Sequence, residues 1–214
     1  MIGLFGGTFD PIHFGHLRPA LDAFEALGLD ELRFIPAAVP PHRAAPGIDA
    51  ATRAEMVRLA IADQPGFVLD TCELERPGPS WTVDTLRLLR GRYGADRPLV
   101  LLVGSDAFAQ LPTWHEWRDL LALAHVAVMA RPGAPLDETA FPPGYVAARR
   151  VAAAAPLQER PAGHIYVVPV TQLDISATRI RRLLRAGRSI RYLTPERLVA
   201  YIDRNRLYRS RTDT

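Results

Sequence analysis

Residues able to do chemistry gather at two places in this 214-residue chain. Near the amino terminus, Gly6-Gly7-Thr8-Phe9-Asp10-Pro11-Ile12-His13-Phe14-Gly15-His16 follows a short apolar run. Glycines there let backbone approach phosphate oxygens, and N–H groups at the start of a following helix favour an anion. Three residues apart on the first helical turn, His13 and His16 point both imidazoles toward one phosphate-sized space. Gly15, between them, removes a side chain that would block close packing of ligand or sheet. A metal held by the histidine pair is the competing reading, but only Asp10 stands nearby as a further ligand. The whole string favours a nucleotide phosphate site. Near the other end, Ser176, Thr178 and Arg181 offer a hydroxyl pair, helix-start N–H groups and a guanidinium, which make a second phosphate cradle.

Charge supports that pairing. All 26 basic residues are arginine, so side-chain Schiff-base chemistry and a P-loop lysine are excluded. Up to Ile175 there are 15 Arg against 20 acidic residues; from Ser176 onward there are 11 against 3. The basic end reads either as solvated helix faces or as a phosphate-facing surface. One cysteine, Cys72, excludes an internal disulfide framework and a thiolate metal cage, and reads as core filler.

The elements that must position these groups follow from patterning. Continuously apolar runs at Ile2–Phe5, Leu32–Pro36, Phe67–Leu74, Leu99–Val103, Val126–Ala130 and Ile165–Val170 suit strands covered on both faces of a parallel sheet. Helical spacing runs over Gly15–Leu27, Thr52–Ala62 and Thr82–Arg92, and an alanine-rich helix is expected near Tyr145–Ala155. Past Ser176, helices are expected at Ala177–Ala186, closed by Gly187, and at Pro195–Asn205, with Thr194 as N-cap and Pro195 at the first helical position. Proline-rich Ala37–Gly47 and Arg131–Pro143 read as loops. Strand–helix alternation implies an α/β fold, a doubly wound, Rossmann-like parallel sheet of about six strands with helices on both faces and a C-terminal helical segment. We expect one domain over residues 1–214, with residues 1–175 as the α/β core and 176–214 completing the phosphate site. In such a sheet the first strand-to-helix turn and the end of the strand carrying Gly104-Ser105-Asp106 face the ligand, so Asp106 reaches ribose hydroxyls or metal-linked waters. A plain helix N-cap is the alternative for Asp106. Trp114 offers a flat aromatic face, or else is core; Trp117 reads as packing.

Gly-Gly-Thr-Phe-Asp-Pro-Ile-His-Phe-Gly-His resembles the signature of the nucleotidylyltransferase superfamily. Within it, the chain is most similar to the bacterial nicotinate mononucleotide adenylyltransferases. The likeness continues through Pro40-Pro41-His42-Arg43, Pro79-Ser80-Trp81-Thr82-Val83-Asp84-Thr85-Leu86, Gly104-Ser105-Asp106, Leu111-Pro112-Thr113-Trp114 and Ile175-Ser176-Ala177-Thr178-Arg179-Ile180-Arg181 to Leu207-Tyr208. It implies an enzyme joining nicotinate mononucleotide to the AMP part of ATP, with Mg²⁺ arriving with ATP and no direct protein ligands to it. His13, His16 and Arg181 would then be catalytic, and Gly6, Gly7, Thr8, Phe9, Gly104, Asp106, Ser176 and Thr178 would hold ATP. The resemblance places the pyridine on Trp114 and its carboxylate at Thr82 and backbone N–H groups, with His42, Arg43 and Arg131 as further substrate contacts. Ala177 stands where the family often has a hydroxyl residue, and Arg43 where it more often has lysine.

Other readings stay open: the same chemistry on nicotinamide mononucleotide or phosphopantetheine, or a non-catalytic nucleotide- or RNA-binding module. The basic segment has only Tyr192, Tyr201 and Tyr208 as stacking partners, which weighs against nucleic acid. The longest aliphatic runs are too short to cross a bilayer, and no basic-then-apolar leader opens the chain, so a cytoplasmic protein without a membrane partner is expected. Oligomeric state is not legible.

Overall fold

The computed structural model describes residues 1–40 and 47–209. Seven parallel strands form one sheet: β1 (Ile2–Gly7), β2 (Glu31–Pro36), β3 (Phe67–Leu69), β4 (Leu99–Gly104), β5 (His125–Ala130), β6 (Arg150–Val151) and β7 (Ile165–Pro169), in the order β3-β2-β1-β4-β5-β7-β6. The helices are α1 (Phe14–Leu27), α2 (Ala50–Ile61), α3 (Thr82–Tyr93), α4 (Ser105–Ala109), α5 (Leu120–Leu123), α6 (Pro156–Glu159), α7 (Ala177–Arg185) and α8 (Glu196–Arg204).

Apolar strands divide their side chains between two cores with period two. Phe5, Phe34, Val100, Leu102 and Met129 meet Leu17, Ala20 and Leu27 of α1, Met56 and Val57 of α2, Ile180 of α7 and Ile202 of α8. On the opposite face, Leu4, Ile35, Leu99, Leu101, Val103 and Val128 meet Val83, Leu86 and Leu89 of α3, Phe108 of α4 and Leu120 of α5. Both faces are therefore covered by helices, as continuous apolarity demands of a parallel sheet.

Four expectations need correction. Tyr145–Ala155 is not a helix but a run of turns leading into the two-residue β6. Gly144, at φ 75°, turns the chain, and the Ile165 N–H takes the Arg149 carbonyl, so the open edge of β7 outcompetes alanine's helical preference. That extra edge strand raises the count from about six to seven. β3 stops at Leu69, because Asp70 Oδ1 accepts the Cys72 N–H at 3.0 Å and bends the chain into a turn. Cys72 is buried there, off any strand, and burial pushes its thiol up to about 12. Lastly, Thr194 does not cap α8: its hydroxyl donates to the Ile12 carbonyl at 3.0 Å, and Pro195 precedes the first helical residue, Glu196.

Sheet order places the site. From β1 the chain runs outward through β2 and β3, then returns to lay β4 on β1's other side. Connections thus diverge between the carboxyl ends of β1 and β4, where an open α/β sheet leaves a crevice.

Candidate active site

A cleft of about 1640 Å³ opens at that point, larger than the pocket of one drug-sized ligand. Gly6, Gly7, Thr8, Phe9 and Asp10, at the end of β1, form its floor beside Gly104, Ser105 and Asp106 at the end of β4. A Cβ on Gly6 or Gly104 would meet only open space, so these glycines present bare backbone to the cleft. Phe9 contributes backbone rather than its ring, which packs in the core edge-on to Phe5 and His16.

His13 is the N-cap of α1, and its carbonyl accepts the N–H groups of His16 at 2.8 Å and Leu17 at 3.1 Å. The His13 N–H in turn donates to His16 Nδ1 at 3.3 Å, which in a neutral His16 ring leaves the proton on Nε2. The two rings lie 3.8 Å apart between centroids. They are not equivalent. His16 lines the cleft, whereas His13 is only 4% exposed, sits behind it, and has a buried Nδ1 without a hydrogen-bond partner among the described residues. Burial lowers the His13 pKa to about 4, so this imidazole is neutral at pH 7. Gly15 serves close approach, as expected, though of a different neighbour: a Cβ there would lie 2.9 Å from both His13 Nδ1 and the Ile175 carbonyl oxygen.

Through Ile175 the carboxyl-terminal segment joins the site. Ser176 caps α7, its Oγ accepting the Arg179 N–H at 3.2 Å, and does not line the cleft. Ala177, Thr178, Arg181 and Arg185 do, along one side of α7. Arg185 thus shares the cleft-facing row with Arg181, four residues away. Arg181 Nη1 donates to the Asp10 carbonyl at 2.6 Å, and Nη2 to Thr178 Oγ1 at 3.2 Å. The Phe14 N–H donates to the Leu193 carbonyl at 3.0 Å.

The other wall comes from the opposite face of the sheet. Thr82 opens α3, half-buried Trp114 follows a short 3-10 turn, exposed Asp106 lies in α4, and Arg131 follows β5, its Nε donating to Gln172 at 3.0 Å; all four line the cleft. Trp117 is core, against Phe141 and Tyr145. His42 and Arg43 lie outside the described residues.

Two residues with a part in this architecture escape a sequence reading. Arg53 is 1% exposed and donates to the carbonyls of Thr8 at 2.7 Å and Ala37 at 2.6 Å, tying the β1 turn to the segment after β2. Its signal is an arginine sharing an apolar helix face with Met56 and Val57. Glu73, buried in the cleft wall, accepts the Thr85 hydroxyl at 2.6 Å and is also hydrogen-bonded to Ser80; burial pushes its carboxyl above the usual range. Ser80 Oγ accepts the N–H groups of Ala38 and Val39, so Glu73 braces the same segment from the far side. An acid within an apolar stretch is its only signal.

Among the described residues no group of three or more His, Cys, Asp or Glu is placed to hold a metal, and no helix is long and apolar enough to cross a membrane. Residues 4–183 match the cytidylyltransferase-like family. The chain is 51% identical over 212 residues to the probable nicotinate-nucleotide adenylyltransferase of Dechloromonas aromatica, covering 98% of both proteins. It is 50% identical over 209 residues to that of Methylococcus capsulatus, covering 97% of this chain and 99% of the other. In fold it is similar to Plasmodium falciparum nicotinic acid mononucleotide adenylyltransferase complexed with NaAD, with a TM-score of 0.71 at 19% identity over 97% of this chain and 96% of that one. Sequence likeness over nearly the whole length places this chain in the cytidylyltransferase-like family and, within it, among the nicotinate-nucleotide adenylyltransferases.

Proposed function

We propose that the protein transfers the adenylyl group of ATP to nicotinate mononucleotide, giving nicotinate adenine dinucleotide and pyrophosphate in NAD biosynthesis. The observation that carries this reading is the convergence of the His16 ring and the Arg181 guanidinium on the glycine floor at the sheet's switch point. A phosphate oxygen of nicotinate mononucleotide attacks the α-phosphorus of ATP. That P–O bond forms as the bond from the α-phosphorus to the bridging oxygen breaks, and pyrophosphate leaves with the electron pair. The nucleophile is already anionic, so no general base is required, and catalysis reduces to alignment and charge stabilisation.

His16 and Arg181 meet the phosphates, with Thr178 at the start of α7, which Ser176 caps, and the backbone of Gly6, Gly7, Thr8 and Phe9 beneath. His13, neutral and packed at a tilt behind His16, supports that ring and adds no positive charge. Gly104 and Asp106 take the adenosine side. Trp114 stacks on the pyridine while Thr82 and neighbouring N–H groups receive its carboxylate, and His42, Arg43 and Arg131 complete the acceptor's contacts. The donor set is rich in guanidinium, imidazole and N–H, which fits a Mg²⁺ ion carried in on ATP rather than a resident one. Bound to ATP, Mg²⁺ would supply neutralisation of the charge gathering on the departing pyrophosphate.

Pyrophosphate release from MgATP, measured in parallel with nicotinate mononucleotide, nicotinamide mononucleotide and phosphopantetheine, tests the proposal. Strong preference for the first is expected. Preference for either of the others overturns the pyridine-carboxylate pocket, and no release from folded protein overturns the transferase itself.

A further inference from the structure

Tyr208 and Asp10 are 198 residues apart in sequence, yet the Tyr208 hydroxyl donates to Asp10 Oδ1 at 2.6 Å. Tyr208 holds a left-handed backbone, φ 62°, which an aromatic residue adopts at a cost, so tertiary contacts fix it there. Asp10 is 8% exposed, and its second oxygen, Oδ2, lies 3.7 Å from Arg181 Nη1. That is too long for a hydrogen bond; the same nitrogen is given instead to the Asp10 backbone carbonyl. A guanidinium beside a carboxylate with both oxygens available tends to close a two-bond fork. Such a fork would draw Arg181 into the turn and neutralise the cation that faces the cleft.

We propose that Tyr208 is a positioning residue for Arg181: its hydrogen bond to Asp10 Oδ1 fixes the carboxylate in an orientation that leaves Oδ2 3.7 Å from Arg181 Nη1, disfavours a bidentate Asp10–Arg181 pair, and leaves the guanidinium turned toward the phosphates of the nucleotide. The inference rests on the assignment of Arg181 to the ATP phosphates. It gives Tyr208 a chemical reason beyond packing, because phenylalanine would fill the same space without restraining the carboxylate.

Three variants decide it in steady-state kinetics: Tyr208→Phe, Asp10→Asn and the double variant, with Arg181→Ala as reference. In Tyr208→Phe, kcat/KM for ATP falls about tenfold while the KM for nicotinate mononucleotide changes by less than about twofold and the unfolding midpoint holds. In the Asp10→Asn background the same change costs nothing further toward ATP, since no carboxylate remains to capture Arg181. A merely structural role would lower the unfolding midpoint, or kcat with both KM values unmoved, and would overturn the proposal, as would an undiminished Tyr208→Phe effect in the Asp10→Asn protein. Should Asp10→Asn not fold, equilibrium binding of ATP to the Tyr208→Phe protein decides: a Kd raised about tenfold supports the inference, and an unchanged Kd refutes it. If Arg181→Ala leaves ATP kinetics intact, the assignment of Arg181 fails and the inference with it. A damaged Arg181→Ala enzyme beside an unaffected Tyr208→Phe refutes the inference alone.

Discussion

The two walls of the cleft are built in different ways. The wall over α1 and α7 is stitched by bonds between distant segments: Arg181 to the Asp10 carbonyl, Tyr208 to the Asp10 carboxylate, Thr194 to the Ile12 carbonyl and the Phe14 N–H to Leu193. Buried Arg53 adds bonds to Thr8 and Ala37 from beneath. The wall over α3 and α4 presents Trp114 and Thr82 half-buried, with Trp81 against the His115 ring at 4.8 Å between centroids. The nearby Arg87 pairs with Glu116 and Asp119 are solvent-exposed, and such pairs contribute little. In-line phosphoryl chemistry tolerates little displacement, which is consistent with the proposal that the braced wall over α1 and α7 receives the phosphates. In the proposed assignment the acceptor meets the aromatic face of Trp114 and the polar groups of Thr82 and Arg131 on more exposed elements, with the buried Glu73–Thr85 bond behind them.

Substitutions on each wall should separate accordingly. His16→Ala has the largest expected effect, a fall in kcat of about 10²–10³ with the unfolding midpoint nearly unchanged, read by pyrophosphate release and a thermal melt. Gly15→Ala comes next and breaks the distinction between chemistry and scaffold. Its Cβ would press on the Ile175 carbonyl, so it should cost about 1–3 kcal/mol in denaturant unfolding and lower activity together. Trp114→Ala should raise the KM for nicotinate mononucleotide about tenfold and leave that for ATP alone.

The smallest effect is on pH dependence. Between pH 6.5 and about 4 the unfolded chain takes up a proton at His13 that the folded chain refuses, so stability falls as pH drops through that window. Buried His125, its Nδ1 accepting the His164 N–H and its Nε2 on the Arg160 carbonyl, is lowered by burial and acts in the same direction. Unfolding midpoints in this range should fall less steeply for His13→Asn than for the parent. Equal slopes would contradict a buried, neutral His13.

How much could be read in advance differs between the walls for the same physical reason. The glycine–histidine string is legible because one turn places backbone, ring and close-packed glycine within eleven residues. Trp114 is legible as an aromatic after a proline-containing turn, and Thr82 only through the family resemblance. Arg53 is not, because its partners are backbone carbonyls scattered over Thr8, Ala37 and Ala38, and carbonyls leave no trace in residue type. Nor is the burial of His13 behind His16, since spacing gives direction but not depth. The alanine-rich Tyr145–Ala155 stretch misleads because helix propensity is a local quantity, while the unpaired edge of β7 that claims Arg150 and Val151 is tertiary.

Calorimetric titration of Arg181→Ala and Trp114→Ala with each substrate separately tests the division of labour most directly. Arg181→Ala is expected to lose affinity for ATP and keep it for nicotinate mononucleotide, while Trp114→Ala does the reverse. Loss of both ligands in either variant, or the opposite assignment, would contradict it.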